Sequence, residues 1–334
     1  MLNILLIQEK SRNIINVAFR ECCCLQRAFA SLNEKAEIWG LGWDNFEKLP
    51  DFNSYDLIIN MENYGDAWLP DLSEIHNPLK MLWTIDSHTR GLDPYIKIFN
   101  KGKYDVLLQS TKDFVSLDPN QKSIWFPNSF DDSLFRSTDW NKKDFFIGFC
   151  GSLMNRRPYL KRLQNWFGKD YKEDIWVLGP DMISAIQRNK INFNVNIAND
   201  INFRSFETLG VGSVLCSNEN PLYNELGFQD GVNCIFFRHT FDTFTRTINE
   251  TLGFRSRVST DLVTSFVNRN NFRSLRERLW YYYNNQEELE LLAKNSTVLS
   301  KAHTYRQRAK LLMKIIETGK LQGFNASMIK NTNE

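Results

Sequence analysis

Short apolar runs alternate with amphipathic stretches along the first third of the chain. "NILLIQ" (3–8), "AEIWGLG" (36–42), "YDLIINME" (55–62), "KMLWTID" (80–86) and "YDVLLQST" (104–111) are bounded by polar and turn residues, so each is a predicted strand. Between the first two, "NVAFRECCCLQRAFASLN" repeats apolar residues at helical spacing. Strand, helix and strand at these intervals predict parallel β-structure with crossover connections. "WFPNSFDDSLF" (125–135) then reads as a linker, because Pro127 and the Asn, Ser and Asp cluster break both periodicities.

The pattern restarts with a strand at "DFFIGFCGS" (144–152), followed by the helical "RPYLKRLQNWF". Further strands are predicted at "DIWVLGPD" (174–181), "INFNVNIAND" (191–200), "SVLCSN" (213–218) and "NCIFFR" (233–238), with helices between them. From about residue 262 the chain is helical, ending in "HTYRQRAKLLMKIIETGKL" (303–321). The expected architecture is α/β, with two Rossmann-like domains facing a cleft (1–140 and 141–302) and a C-terminal helix and tail (303–334). Open parallel sheets bind ligands at the carboxyl ends of their strands, so a ligand is expected in the cleft.

Composition narrows the classes. A chain of 334 residues, 42% hydrophobic and 24% charged, suits about two globular domains, with no low-complexity tract or repeat. The net charge of +2 argues against a generally polyanionic partner. No apolar run approaches the ~20 residues of a membrane span. The start, "MLNILLIQEKSRN", has no basic segment before its apolar stretch, so it reads as a first strand and not a signal peptide, and the expected location is cytoplasmic. The six cysteines, Cys22-Cys23-Cys24 with Cys150, Cys216 and Cys234, have neither metal-ligand nor disulfide spacing and are read as buried free thiols.

Two stretches carry candidate chemistry. In "GFCGSLMNRRPYLKRL" (148–163) a strand ends at Gly151-Ser152 just before a helix, where backbone amides can approach an anion and Arg156 and Arg157 add charge. The purely structural account is a tight turn with two solvated arginines; neither a Walker loop nor GxGxxG is present. In "NFRSFETLGVGSVLCSNEN" (202–220), Glu207 and Arg204 stand at the head of a helix. The carboxylate can accept both hydroxyls of a ribose and the guanidinium can neutralise a diphosphate. The structural alternative is a dipole partner with an i,i+3 ion pair. A third stretch, 254–278, has six arginines against two acids: a solvated face, or a surface for a phosphate-rich acceptor.

The order "IGFCGS…NRRPYLKRL", "WVLGPD", "NKINFNVNIANDINFRSFETLGVGSVLCSNE", "DGVNCIFF" and "AHTYRQRAKLL" resembles the donor half of the CgeB-like glycosyltransferases, which have the GT-B fold. "WTIDSH" and "YDVLLQSTKDF…SIWFPNSFD" resemble that family's front half, so the similarity spans most of residues 80–310. The resemblance implies an N-terminal acceptor domain and a C-terminal donor domain. It implies that Glu207 holds the donor ribose and that Arg204, Gly151, Ser152 and Arg156 or Arg157 face the donor phosphates. Gly179, in Leu178-Gly179-Pro180, would sit at a strand end near the base. Asp86 and His88 would meet the acceptor, His88 as a base or in a structural His–Asp contact. Related retaining enzymes carry a glutamate eight residues before the ribose glutamate; here Asn199 stands there, with Asp200 beside it.

The implied activity is transfer from a nucleotide sugar, a UDP-sugar foremost, to a polysaccharide, protein or small acceptor, with no bound cofactor and no metal. A DNA acceptor and a non-catalytic two-domain nucleotide- or sugar-binding protein are the alternatives. A partly exposed ribose ligand contributes little to a core, so Glu207→Ala is expected to spare the fold.

Overall fold

The computed structural model describes residues 1–153, 156–196, 199–238 and 269–330. The chain forms two compact units. The first comprises Met1–Leu134, Asn199–Phe203 and Ala302–Met328, and the second Phe135–Ala198, Arg204–Lys301 and Ile329–Glu334.

In the first unit six strands form one sheet in the order β2-β1-β3-β4-β5-β6. They are β1 (Asn3–Ile7), β2 (Lys35–Trp39), β3 (Leu57–Met61), β4 (Leu79–Thr84), β5 (Val106–Gln109) and β6 (Ser123–Trp125). Every pairing is parallel, with Ile4 opposite both Ala36 and Leu57. Parallel sheets are covered on both faces, which explains why β3 is buried along its whole length and is apolar except at Asn60, whose amide donates to the Tyr104 hydroxyl (2.8 Å). The helices α1 (Glu21–Ala30), α2 (Ser87–Arg90) and α3 (Asp93–Lys101) lie in the crossovers. Tyr95 and Phe99 of α3 join Leu5, Ile58, Leu82 and Leu107 in one core.

The stretch 125–135 is no exposed linker. Trp125 closes β6, and Phe126 to Asp131 are buried. Irregular backbone inside a protein needs hydrogen-bond donors that no ladder supplies. Arg308, 1% exposed on the helix Tyr305–Thr318, provides them. Its guanidinium donates to the carbonyls of Pro127 (2.8 Å), Asn128 (3.0 Å) and Ala302 (3.4 Å) and lies over the Phe324 ring. Burial pushes its pKa down to about 9.

The second unit repeats the design with five strands in the order β11-β10-β9-β7-β8, again all parallel. They are β7 (Phe145–Gly151), β8 (Tyr171–Ile175), β9 (Asn189–Phe193), β10 (Val214–Asn218) and β11 (Cys234–Phe237). Helix α4 (Arg157–Phe167) buries Tyr159, Leu160, Leu163 and Phe167, a helical repeat, against Phe146, Phe193 and Phe237. The helices Arg269–Asn284 and Gln286–Ser300 add Leu275, Leu279, Leu289 and Leu292 to that core. Helices α5 (Gly179–Gln187), α6 (Phe203–Gly210) and α7 (Pro221–Glu225) complete the unit.

The strand predicted at 174–181 is displaced. β8 ends at Ile175, Trp176 takes a positive φ of 57° and is 71% exposed, and Gly179 already opens α5. Pro180, second in that helix, supplies the fixed φ that favours helix entry and disfavours a central strand. All six cysteines are buried free thiols. Among the described residues no helix is long and apolar enough to cross a membrane.

Replacing Arg308 by Met keeps the volume and deletes the donors to Pro127 and Asn128. The expected loss is about 2–5 kcal/mol, from carbonyls left unsatisfied in the interior. It is measured as a lowered urea midpoint with an unchanged slope, and an unchanged midpoint refutes the assignment.

Candidate functional site

Both sheets share a strand order in which the third strand of each unit crosses to the far side of the first. The connections leaving β1 and β3 therefore diverge, as do those leaving β7 and β9, and such switch points are where open α/β sheets bind ligands.

At the β7 end the backbone turns at Gly151, whose φ of 154° suits glycine alone. Ser152 follows, and Arg156 stands immediately before α4. The Arg156 guanidinium reaches across to the end of β9, donating to the Val195 carbonyl (2.9 Å) and, at 3.5 Å, to the Ser152 carbonyl. Its enclosed Nε has no hydrogen-bond partner among the described residues. Burial, and after it the neighbouring Arg204 guanidinium, pushes the Arg156 pKa down to about 10. Arg204, on α6, lies 2.9 Å from the Glu207 carboxylate, with the two side chains 15% and 14% exposed. Burial raises the Glu207 pKa and Arg204 opposes the rise. Two neighbouring guanidiniums thus lie in a largely dehydrated place, and of the two it is Arg204 that is paired with the Glu207 carboxylate.

The i,i+3 ion pair of the structural alternative is therefore present. It also bears on the expectation for Glu207→Ala: the carboxylate is largely enclosed, not partly exposed, and removing it would leave the enclosed Arg204 without its ion-pair partner, a change that would cost stability. Arg157 is the first residue of α4, and Gly179 is the first of α5, beyond β8, the strand that borders β7.

What holds α6 at this edge is a polar network inside the unit. Ser205, next to Arg204, shares a hydrogen bond with the Tyr223 hydroxyl (2.8 Å), which also receives one from Asn196 (2.6 Å) and donates to Ser217 (3.1 Å). Asn194 donates to Ser205 at 3.3 Å. The signal for it was in view as alternating asparagines in "NFNVN" (192–196), polar positions that a fully buried strand tolerates only when partnered.

In the first unit a second polar group gathers at the carboxyl ends of β3, β4 and β5. Glu62, just after β3, accepts from the amides of Ile85 and Asp86 (2.7 Å each) and pairs with Arg90 (3.2 Å). Burial, then Glu62, raises the Asp86 pKa. His88 Nδ1 faces Asp200 Oδ1 at 3.8 Å, and that oxygen accepts from the Thr111 hydroxyl (3.0 Å). Asp86, expected beside His88, does interact with its charge, and Asp200 is the carboxylate within 4 Å of Nδ1. Glu62, Thr111 and Asp200 had no role assigned from sequence. Beside Glu62 a cavity of about 280 Å³ is lined by Asn63, Tyr64, Leu69, Arg90 and Tyr95. Among the described residues no group of three or more His, Cys, Asp or Glu is placed to hold a metal ion.

Residues 147–258 match a family model described as Glycosyl transferase-like. No curated protein sequence matches the chain. Anabaena HepE, solved in complex with UDP and glucose, is similar with a TM-score of 0.57 at 11% identity, covering 95% of this chain and 100% of that one. An α-glucosyltransferase in complex with UDP-glucose and DNA containing an abasic site gives 0.62 at 8% identity, over 95% and 100%. Sucrose-phosphate synthase from Thermosynechococcus elongatus gives 0.58 at 10% identity, over 95% and 98%. The chain thus has two parallel-sheet α/β domains and the fold of GT-B glycosyltransferases.

Proposed function

We propose that the chain is a glycosyltransferase that moves a sugar from a nucleotide-diphosphate sugar, a UDP-sugar, to an acceptor hydroxyl without a bound metal. The observation that carries this is the group Arg156, Arg204 and Glu207 at the β7/β9 switch point, two enclosed guanidiniums with one carboxylate. All three residues lie inside the segment that matches the Glycosyl transferase-like model.

Their chemistry suits a departing diphosphate. The excess positive charge of Arg156 and Arg204, with the Gly151 and Ser152 amides and the α4 amino end at Arg157, stabilises the leaving group. Glu207 accepts the ribose hydroxyls, and Gly179 opens a helix on the base side. On the acceptor side, His88 is the candidate base, with Asp86 beside it and the cavity next to Glu62 sized for one ring. The acceptor oxygen bonds the anomeric carbon as the bond from that carbon to the diphosphate breaks. The diphosphate leaves with the electron pair and His88 takes the acceptor proton.

A DNA acceptor is the second reading, favoured by the arginines of 254–278 and by the DNA held in the α-glucosyltransferase structure. Residues 254–268 of that stretch lie outside the described residues. Within the described part, Arg273 pairs with Glu277 and Arg278 with Asp230, so part of the positive charge is engaged within the protein. A polysaccharide, protein or small acceptor remains the leading assignment. A binding protein that closes on its ligand without reacting would show nucleotide affinity and no turnover.

UDP at 100 times its Kd should stabilise the protein by about 2.7 kcal/mol, several degrees in melting temperature, with GDP, TDP and CDP weaker. No shift with any nucleotide refutes the donor site. Turnover of the matching sugar nucleotide should persist in excess EDTA; loss restored by Mg²⁺ or Mn²⁺ refutes metal independence.

Glu207→Ala should lower stability by about 3–5 kcal/mol, since it strands the enclosed Arg204. Glu207→Gln, which keeps the packing, is the cleaner probe. It should melt within a few degrees of the parent and weaken UDP binding by about 10-fold or more, through loss of charge-assisted bonds of about 1.5–3 kcal/mol each. Unchanged UDP affinity in Glu207→Gln removes Glu207 from the ribose.

A further inference from the structure

We infer that Asp200 is the positioning partner of His88, its carboxylate holding the imidazole with Nδ1–H toward Oδ1 so that Nε2 is left bare to accept a proton. The identity of that proton rests on the glycosyltransferase reading above; the orientation of the ring does not.

The geometry is specific. His88 Nδ1 lies 3.8 Å from Asp200 Oδ1, and the two side chains are 10% and 9% exposed. That Nδ1 is enclosed and has no hydrogen-bond partner among the described residues, so the carboxylate beside it is the group that can fix its proton. Asp200 is itself fixed. The Thr111 hydroxyl donates to Oδ1 at 3.0 Å. Its chain neighbours are pinned as well: Asn199 donates to the Asp113 carboxylate (2.7 Å) and the Ile201 carbonyl accepts from Asn128 (3.0 Å).

The charges facing this carboxylate are few. From the segment after β4 come His88 and Asp86, and the β5 side contributes the neutral Thr111 hydroxyl. Arg90, the nearest arginine along the chain, is paired with Glu62. Among the described residues no lysine or arginine forms an ion pair with Asp200. Burial therefore pushes its pKa up to about 6, against the opposing His88 and Thr111.

The sign of the consequence is informative. A carboxyl raised on folding binds its proton more tightly in the native state, so its contribution to stability falls as pH rises from about 4 through about 6. At neutral pH the ionised Asp200 costs stability, which a side chain placed there for packing would avoid. Its return is chemical: as Nε2 takes up the acceptor proton, the imidazolium forms beside a fixed negative charge, which steadies both its tautomer and its charge.

The test is Asp200→Asn in the full-length protein labelled with ¹⁵N-histidine. Only four histidines occur, and His88→Gln identifies the His88 ring signals. In the parent the neutral ring should be the Nδ1–H tautomer, and in Asp200→Asn the population should move toward Nε2–H. The variant should melt no lower than the parent at pH 7.5, with any gain shrinking toward pH 4. With the best sugar nucleotide and acceptor, kcat should fall on the order of 10²-fold while donor affinity stays within about twofold. In a His88→Gln background the same change should cost nothing further. An unchanged tautomer, or a lowered melting point with kcat intact, overturns the inference and leaves Asp200 structural. If the parent transfers no sugar from any nucleotide, the glycosyltransferase reading fails, and the tautomer measurement alone still decides the Asp200–His88 pairing.

Discussion

Parallel pairing is the constraint from which the rest of this molecule follows. Each strand must return by a crossover, so all strands of a sheet point their carboxyl ends to one edge. Helices cover both faces, so strand interiors such as Leu57–Met61 and Val214–Asn218 are fully buried. Chemically useful side chains are thereby pushed to strand ends. Glu62, Asp86 and Thr111 follow β3, β4 and β5, while Gly151 and Ser152 end β7 and Asn196 follows β9. Where the strand order reverses, neighbouring connections part and leave room for a ligand.

Buried charge in this chain comes in two kinds. Arg308 and Lys143 are cations whose donors are used up. Lys143, with its pKa pushed down by burial to about 8, bonds the carbonyls of Gln187 and Val211 and the Ser213 hydroxyl. Such groups serve irregular backbone, and their cost is offset locally. Arg156, Arg204 and Glu207 differ, because two guanidiniums stand near each other with only Arg204 paired to the carboxylate, and the Arg156 Nε has no hydrogen-bond partner among the described residues. Asp200 differs in the same sense, a carboxylate beside an imidazole with no lysine or arginine paired to it among the described residues. Under the proposed function, incomplete compensation would mark the groups that take a reaction partner, and full compensation those that support the fold.

In the proposed donor site the Arg204–Glu207 pair would combine a structural and a functional role. In the free protein the ion pair holds two side chains in place on α6, fixed from below by Ser205 and its bond to Tyr223. A diphosphate arriving there would draw on a charge already oriented, with little side-chain entropy left to lose. The opposition between ion pair and ligand site in the sequence was thus never exclusive.

Period and punctuation were enough to read nine of the eleven strands among the described residues, to place a tenth, at 174–181, too far along the chain, and to give the parallel class, because alternation between short apolar runs and helical repeats is a local property. They also reached the Gly151 turn, Arg156 and the i,i+3 relation of Arg204 to Glu207, all of which act between near neighbours. Three features lay beyond local pattern. Residues 125–135 look like a linker until Arg308, far along the chain, supplies their missing donors. "WVLGPD" (176–181) is apolar enough for a strand, yet a left-handed Trp176 and the helix entry at Gly179-Pro180 override it. Asp200 looked like a bystander next to Asn199, because nothing near it in sequence needs a carboxylate. The segment Asn199–Phe203 belongs to the first unit, and that is where it meets Thr111 and His88. Hydrophobic period reports which face of an element is buried, but the partner that compensates a buried charge is chosen by packing between residues far apart in the chain.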